Sequence, residues 1–272
     1  VSLPSVLHPT PAPDSILSRQ PGARPHVIAH RGGADLAPEN TLEAFAQAVA
    51  MGAHMLETDV QLSADGIAMA FHDETLDRVT DLKGPIRAYT LDELRKATVF
   101  GQCGQTGKIP TITELLDAFP EMPWAIDLKN GDSIVPLARS INQTAGAARV
   151  CVAHSWDSWL DRVRELTSPE LERSLGWHEL AILVACAKAG IHPPAHLVAG
   201  SWVHIGWKPG GIVLMKSKRF SDRLISMSHD LGMGVRVWTI NKEKHLKRLL
   251  QQGVDGLFTD RPGLALDLVD AL

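Results

Sequence analysis

The chain has 272 residues, 44% apolar and 21% charged, and its 27 basic and 31 acidic side chains leave a net charge of −4. This balance excludes the surface as a general attractor of nucleic acid or anionic membrane, so an anionic ligand must be met by a local cluster of donors or by a cation. Three scattered cysteines, Cys103, Cys151 and Cys186, form no CxxC pair and argue against a disulfide framework or a thiolate zinc site.

No apolar run reaches the ~18 residues a membrane span requires. Residues 1–24, broken by Pro4, Pro9, Pro11, Pro13 and Pro21, read as an extended arm without the basic start and apolar stretch of a signal peptide. A cytoplasmic location is the matching expectation. Residues 25–272 then form one domain.

His26–Ala29 is a short apolar strand ending at His30-Arg31-Gly32-Gly33. Asn40 is expected to cap the helix that follows, with Glu43 completing a capping box, and Leu42, Phe45, Ala46, Val49 and Ala50 repeat at helical spacing. Residues 54–61 alternate as a second strand and Ile67–Phe71 form a third. The link through Asp65-Gly66 is too short for a helix. A two-residue turn there would make a hairpin, pairing Ala64 with Ile67 and setting Asp59 opposite His72. A parallel barrel lacking the intervening helix would also bring these residues together.

Residues 74–110 read as a polar insertion after the third strand, with a helical stretch near Leu91–Ala97. Then follow a helix (Thr113–Phe119), a strand (Trp124–Leu128), a helix (Ser133–Ala145), a strand (Val150–Ala153) and helices at Asp157–Leu166 and His178–Ala189. Strand candidates lie at Leu197–Val198 and Gly211–Met215. The chain closes with a helix (Ser221–Leu231), a strand (Gly234–Ile240), a helix (Glu243–Gln252) and a strand (Gly256–Thr259). Repeated β-then-α order predicts an α/β fold with a mainly parallel sheet, and about eight strands favour closure into a barrel.

Glu57 and Asp59 stand two apart in a strand and so point the same way. Two like charges side by side invite a divalent cation, and hard oxygens suit Mg²⁺, Ca²⁺ or Mn²⁺. A lone ExD fits a solvated strand face equally well. Asp127 and Lys129 form a second pair on one strand face, able to add a carboxylate and a phosphate contact, or simply a surface ion pair. His30 and His72 end strands and suit paired acid–base work near neutral pH. Beside His30, the Arg31 guanidinium can bind two phosphate oxygens at once.

In order and spacing, several segments together resemble the glycerophosphodiester phosphodiesterase family. They are His30-Arg31-Gly32, Pro38-Glu39-Asn40-Thr41, Glu57-Thr58-Asp59-Val60, Asp65-Gly66 and His72-Asp73, followed by Leu76-Asp77-Arg78 and Ile109-Pro110-Thr111. Trp238-Thr239-Ile240-Asn241, Gly253-Val254-Asp255-Gly256 and Thr259-Asp260-Arg261-Pro262 complete the series, which spans residues 26–262. The resemblance implies a TIM-type (β/α)8 barrel that hydrolyses a small glycerophosphodiester to sn-glycerol 3-phosphate and an alcohol, with one divalent cation, Mg²⁺ or Ca²⁺ (or Mn²⁺). It implies His30 and His72 as the acid–base pair, Glu57, Asp59 and Asp127 as metal ligands, Arg31 and Lys129 on phosphate, and Trp238 lining the glycerol pocket.

Asp127 stands where the family usually has glutamate, one methylene longer, so it is expected to reach the ion through water or to favour a different ion. Residues 191–215 match no family pattern and are expected to shape the leaving-group side. Two rival readings are a lysophospholipase-D-like or phosphoinositide-type lipid phosphodiesterase, and a catalytically weak binding protein on the same barrel.

Overall fold

Eight parallel strands, each followed by a helix, close into a ring in the computed structural model, which describes residues 17, 22–102, 104–207, 215 and 217–272. The first unit is β1 (His26–His30) with α1 (Leu42–Ala50). β2 (Met55–Leu62) follows, then a short β3 (Ala68–Ala70) and the insertion, which holds α2 (Leu91–Leu94), β4 (Val99–Phe100) and β5 (Thr106–Gly107). α3 (Ile112–Ala118) ends this second unit. β6 (Trp124–Leu128) with α4 (Ile134–Gln143), β7 (Val150–Ala153) with α5 (Asp157–Leu166) and β8 (Glu172–Arg173) with α6 (Trp177–Ala189) continue the alternation. β9 (Trp202–Gly206) with α7 (Lys218–Asp230), β10 (Gly234–Trp238) with α8 (Glu243–Gln251) and β11 (Gly256–Thr259) with α9 (Pro262–Asp270) complete it.

The strand order β8-β7-β6-β2-β1-β11-β10-β9 joins end to end where Ser174 bridges Trp202. There Ser201 N donates to Arg173 O at 2.9 Å and Leu175 N to Trp202 O at 2.9 Å. Every residue of β2 is buried, as expected of a strand covered on both faces. Its outward Leu56 and Val60 pack with the helices, whereas Met55 joins Ile28, Ala125, Cys151, Trp202 and Phe258 inside the ring. Leu17, from the arm, packs with this interior group; the rest of the predicted arm before residue 22 lies outside the described residues.

The third predicted strand is not a barrel strand. β3 runs antiparallel to β2, with Val60 opposite Ala70 and Leu62 opposite Ala68. The hairpin reading therefore holds, but with a different register. Ser63 N donates to Ile67 O at 3.1 Å around a three-residue loop, and Gly66, at φ +76°, supplies the left-handed residue that such a loop needs. The slip places Phe71, not His72, opposite Asp59, and Phe71 N donates to Asp59 O at 3.1 Å. The barrel's third strand is β6. The insertion packs its own small core of Met69, Phe71, Leu76, Ile86, Leu94, Ala97, Val99 and Ile109.

Other differences are local. Thr41, not Asn40, caps α1, accepting from Ala44 N at 3.2 Å. Asn40 is drawn away at φ +58°. β8, β9 and α9 were not foreseen; Leu197 ends a 3₁₀ turn instead of lying in a strand. The strand expected at Gly211–Met215 lies outside the described residues apart from Met215. Among the described residues, no helix is long and apolar enough to cross a membrane.

Candidate active site

Parallel register brings the chemistry-bearing residues to one mouth. His30 pairs with Glu57 across β1 and β2, and Asp59 pairs with Asp127 across β2 and β6, all toward the strands' C-terminal ends. Trp238 ends β10 and is 48% exposed, and Asp260 follows β11. His72 follows β3, whose last pairing lies beside Asp59, so the hairpin delivers it to the same mouth.

His30 Nδ1 lies 2.6 Å from Asp260 Oδ1, and its Nε2 is 3.9 Å from Glu57 Oε2. Burial disfavours a charged imidazole here, but Glu57 and the Asp260 hydrogen bond outweigh it and hold the His30 pKa above its ordinary value. Asp260 is itself fixed by Asn241, whose Nδ2 donates to Asp260 Oδ2 at 2.5 Å and whose Oδ1 accepts from Asp260 N at 2.9 Å. His72 Nδ1 lies 2.5 Å from Asp73 Oδ1. Each imidazole is thus anchored through Nδ1 to a carboxylate, which leaves Nε2 for the site.

Asp59 is crowded with donors. Lys129 Nζ lies 2.6 Å from its Oδ1, Arg31 Nε 3.3 Å from its Oδ2, and Asn40 Nδ2 donates to Oδ2 at 3.1 Å. Burial pushes its pKa up, yet Lys129, Arg31 and His72 together take it well below the usual carboxylate range. Glu57 is the opposite case. Its hydrogen bond among the described residues comes from Arg31 N at 2.9 Å, and burial and the neighbouring Asp59 raise its pKa. Asp127 is turned onto Lys129 Nζ at 2.5 Å, and burial and Asp59 raise its pKa as well.

Glu57 therefore sits in a deficit of positive charge, and hard oxygens on Glu57 and Asp59 suit a divalent cation. Lys129 lies between Asp59 and Asp127, so these two carboxylates expected from the sequence as metal ligands are joined here through its ammonium, and among the described residues no group of three His, Cys, Asp or Glu side chains is gathered around one point.

Arg31 is held by more than Asp59. Its Nη1 donates to Glu39 Oε1 at 3.1 Å, and its backbone sits at φ +52°. Its Nε is buried and, among the described residues, makes no hydrogen bond of acceptable geometry. Asn40 Oδ1 accepts from Thr58 Oγ1 at 2.8 Å, so this one amide ties the loop after β1 to β2. Sequence reasoning gives Asn40 only a capping role and gives Glu39, Asp73, Arg78, Asn241 and Asp260 none at the site. All six fall within the family-like segments, but only Asp73 adjoins a histidine in the sequence.

Eight parallel strands with helices outside, and imidazoles, carboxylates and cationic side chains gathered at their C-terminal mouth, define a (β/α)8-barrel enzyme. The chain belongs to the glycerophosphoryl diester phosphodiesterase family, whose model matches residues 30–264. It is 29% identical over 253 residues to the glycerophosphodiester phosphodiesterase of Caldanaerobacter subterraneus subsp. tengcongensis, covering 89% of this chain and 97% of that one. It is 30% identical over 257 residues to that of Bacillus altitudinis, covering 89% and 97%. Among solved structures, an Oleispira antarctica phosphodiesterase in complex with the product sn-glycerol-3-phosphate superposes with a TM-score of 0.68 at 26% identity, covering 91% of this chain and 97% of that one. A glycerophosphodiester phosphodiesterase from Agrobacterium tumefaciens shares the fold with a TM-score of 0.72 at 22% identity, covering 91% and 100%.

Proposed function

We propose that the protein hydrolyses glycerophosphodiesters to sn-glycerol 3-phosphate and an alcohol, using His30 and His72 as its acid–base pair. The observation that carries this reading is the pairing of two Nδ1-anchored imidazoles with a buried Arg31 Nε that makes no hydrogen bond among the described residues. An anionic phosphodiester offers a better-aligned acceptor to Arg31, whose Nε has only the ion-pair contact with Asp59 Oδ2 at 3.3 Å, and Lys129 beside it offers a second positive charge.

One divalent cation, Mg²⁺ or Ca²⁺ with Mn²⁺ as a third candidate, would be held by Glu57 and Asp59, with Asp127 as a further ligand, and when bound supplies charge to the phosphate's non-bridging oxygens. His30 Nε2 takes the proton of the glycerol hydroxyl next to the ester. That oxygen then bonds to phosphorus as the bond to the alcohol oxygen breaks. His72 gives its proton to the departing alkoxide. Water then opens the cyclic phosphate, with the two imidazoles exchanging roles. Trp238, half-exposed at the end of β10, would cover the glycerol face.

The test is a coupled assay of glycerol 3-phosphate release from several head groups, with chelator and with Mg²⁺, Ca²⁺ or Mn²⁺ restored. His30→Ala and His72→Ala should each lower kcat by about 10²–10⁴ with the fold retained. Near-full activity in both variants would refute the assignment, and full activity in chelator would remove the cation. A lipid-directed reading draws on Trp156 and Trp177, 62% and 66% exposed just after β7 and β8. Lysophospholipid assayed beside glycerophosphocholine separates it from the first.

A further inference from the structure

The insertion between β3 and α3 sends one side chain back to the mouth of the barrel. Arg78, half-exposed, donates from Nε to Asp73 Oδ2 at 2.6 Å. The other end of the same guanidinium grips Glu39 in a fork, Nη1 to Oε2 at 2.8 Å and Nη2 to Oε1 at 2.6 Å. Asp73 in turn holds His72 Nδ1, and Glu39 holds Arg31 Nη1. A chain of direct contacts thus runs from one imidazole, through a residue of the insertion, to the arginine at the phosphate side.

We propose that Arg78 is a positioning residue for the reaction: by fixing Asp73 it sets the tautomer and aim of His72. The inference rests on the reading above, with His72 as the proton donor to the leaving group.

Three physical features support it. Asp73 is kept ionised by its contacts with Arg78 and His72, which overcome the effect of burial, and an ionised carboxylate can only accept. His72 Nδ1 must therefore carry the hydrogen, and Nε2 faces the reaction. The guanidinium plane is the one side-chain shape that can serve two carboxylates at once in fixed directions, which lysine's point charge cannot reproduce. Finally, Arg78 lies beyond the hairpin whose three-residue loop fixes the position of His72, so loop geometry alone leaves the imidazole's rotation to Asp73 and its partner.

The experiment compares Arg78→Ala, Arg78→Lys and Asp73→Asn with wild type on two substrates, glycerophosphocholine and the p-nitrophenyl ester of glycerol 3-phosphate. The nitrophenolate departs without needing a proton, so its release in the first turnover, before water opens the cyclic phosphate, is blind to the aim of His72. Arg78→Ala and Asp73→Asn should lower kcat on glycerophosphocholine by about 10–10² with a smaller change in KM, and alter the first-turnover rate of nitrophenolate release by less than about threefold. Arg78→Lys should recover only part of the loss, and added guanidinium ion should restore part of the activity of Arg78→Ala.

Equal losses on both substrates would overturn the proposal, since general damage to the fold gives that pattern. So would an Arg78→Ala enzyme that turns over glycerophosphocholine like wild type. His72→Ala is the control: if it remains active on glycerophosphocholine, the acid–base assignment itself fails, whereas an inactive His72→Ala beside an unaffected Arg78→Ala removes only the role of Arg78.

Discussion

The floor of the barrel, opposite the catalytic mouth, carries a proton-linked cost that can be measured. His26 opens β1, and its Nδ1 is buried with no hydrogen-bond partner among the described residues. Burial first, then the nearby Arg236 and His54, push its pKa from 6.5 down to about 4. A depressed histidine stabilises the fold while both states are neutral, above pH 6.5. As pH falls, the unfolded chain takes up the proton first, and stability is lost down to the folded value near 4. At pH 5 the difference amounts to about 2 kcal/mol. His204 lies deeper in the same interior and is also pushed well below its ordinary value by burial and Arg236, so it acts in the same direction. His30 acts oppositely, because its pKa is raised, and a raw pH profile mixes these terms. His26→Gln isolates the first one. Urea unfolding of wild type and variant at pH 7 and pH 5, in chelator, should show the variant losing about 2 kcal/mol less than wild type. Identical losses would refute the account of a buried neutral imidazole.

Two further predictions follow from the same packing and charge. Gly234→Ala should destabilise by about 1–3 kcal/mol in denaturant, because its Cβ would fall 2.1 Å from Trp202 Cζ3, in an indole locked by Glu172 and by Arg236 stacked 3.3 Å from its centroid; an unchanged midpoint would show that the ring can yield. Glu57→Gln should make the cation-free protein more stable by about 1 kcal/mol, increasingly so as pH rises from the ordinary carboxyl pKa through the raised one, since the native state prefers a neutral group there. The same variant should lose any rise in Tm that Mg²⁺ or Ca²⁺ gives wild type, and a retained rise would place the ion elsewhere.

The order of elements was readable because each βα unit announces itself locally, by an apolar strand, a turn and a periodic helix. The boundaries of β7, α5 and β11 agree with the spacing of their residues. What escaped was decided by partners far away in sequence. Asn40 and Thr41 are both good caps by local rules. The choice fell to Thr41 because Asn40 is needed by Asp59, 19 residues on, and by Thr58. Asp65-Gly66 reads as a two-residue turn, yet the loop closes on Ser63 and Ile67, and one residue of register changes what stands opposite Asp59. Strand β9 was hidden because its inward positions, Trp202 and His204, are large or polar, whereas the usual strand signal is an apolar run. The anchoring of His30 by Asp260 spans 230 residues, which no local spacing reveals.

The two ends of the barrel handle buried charge differently, and the contrast explains why chemistry belongs at one of them. At the floor, Arg236 is fully buried, stacks on Trp202 and meets no oxygen acceptor among the described residues, with only the Cys151 thiol beside it; burial lowers its pKa to about 10. Nothing there invites exchange with solvent, and the unpartnered groups are neighbours of tightly packed rings. At the mouth, the charges are held by partners that an incoming anion can replace. Lys129 and Arg31 both lean on Asp59. A phosphodiester that takes those two donors leaves Asp59, beside an already undercompensated Glu57, short of positive charge. A cation at the two carboxylates would restore the balance, so anion and cation each make the other's binding less costly. On the proposed reading, the ion pairs that Lys129 and Arg31 make with Asp59 are the contacts a substrate phosphate would take over, on strand ends that the ring holds still.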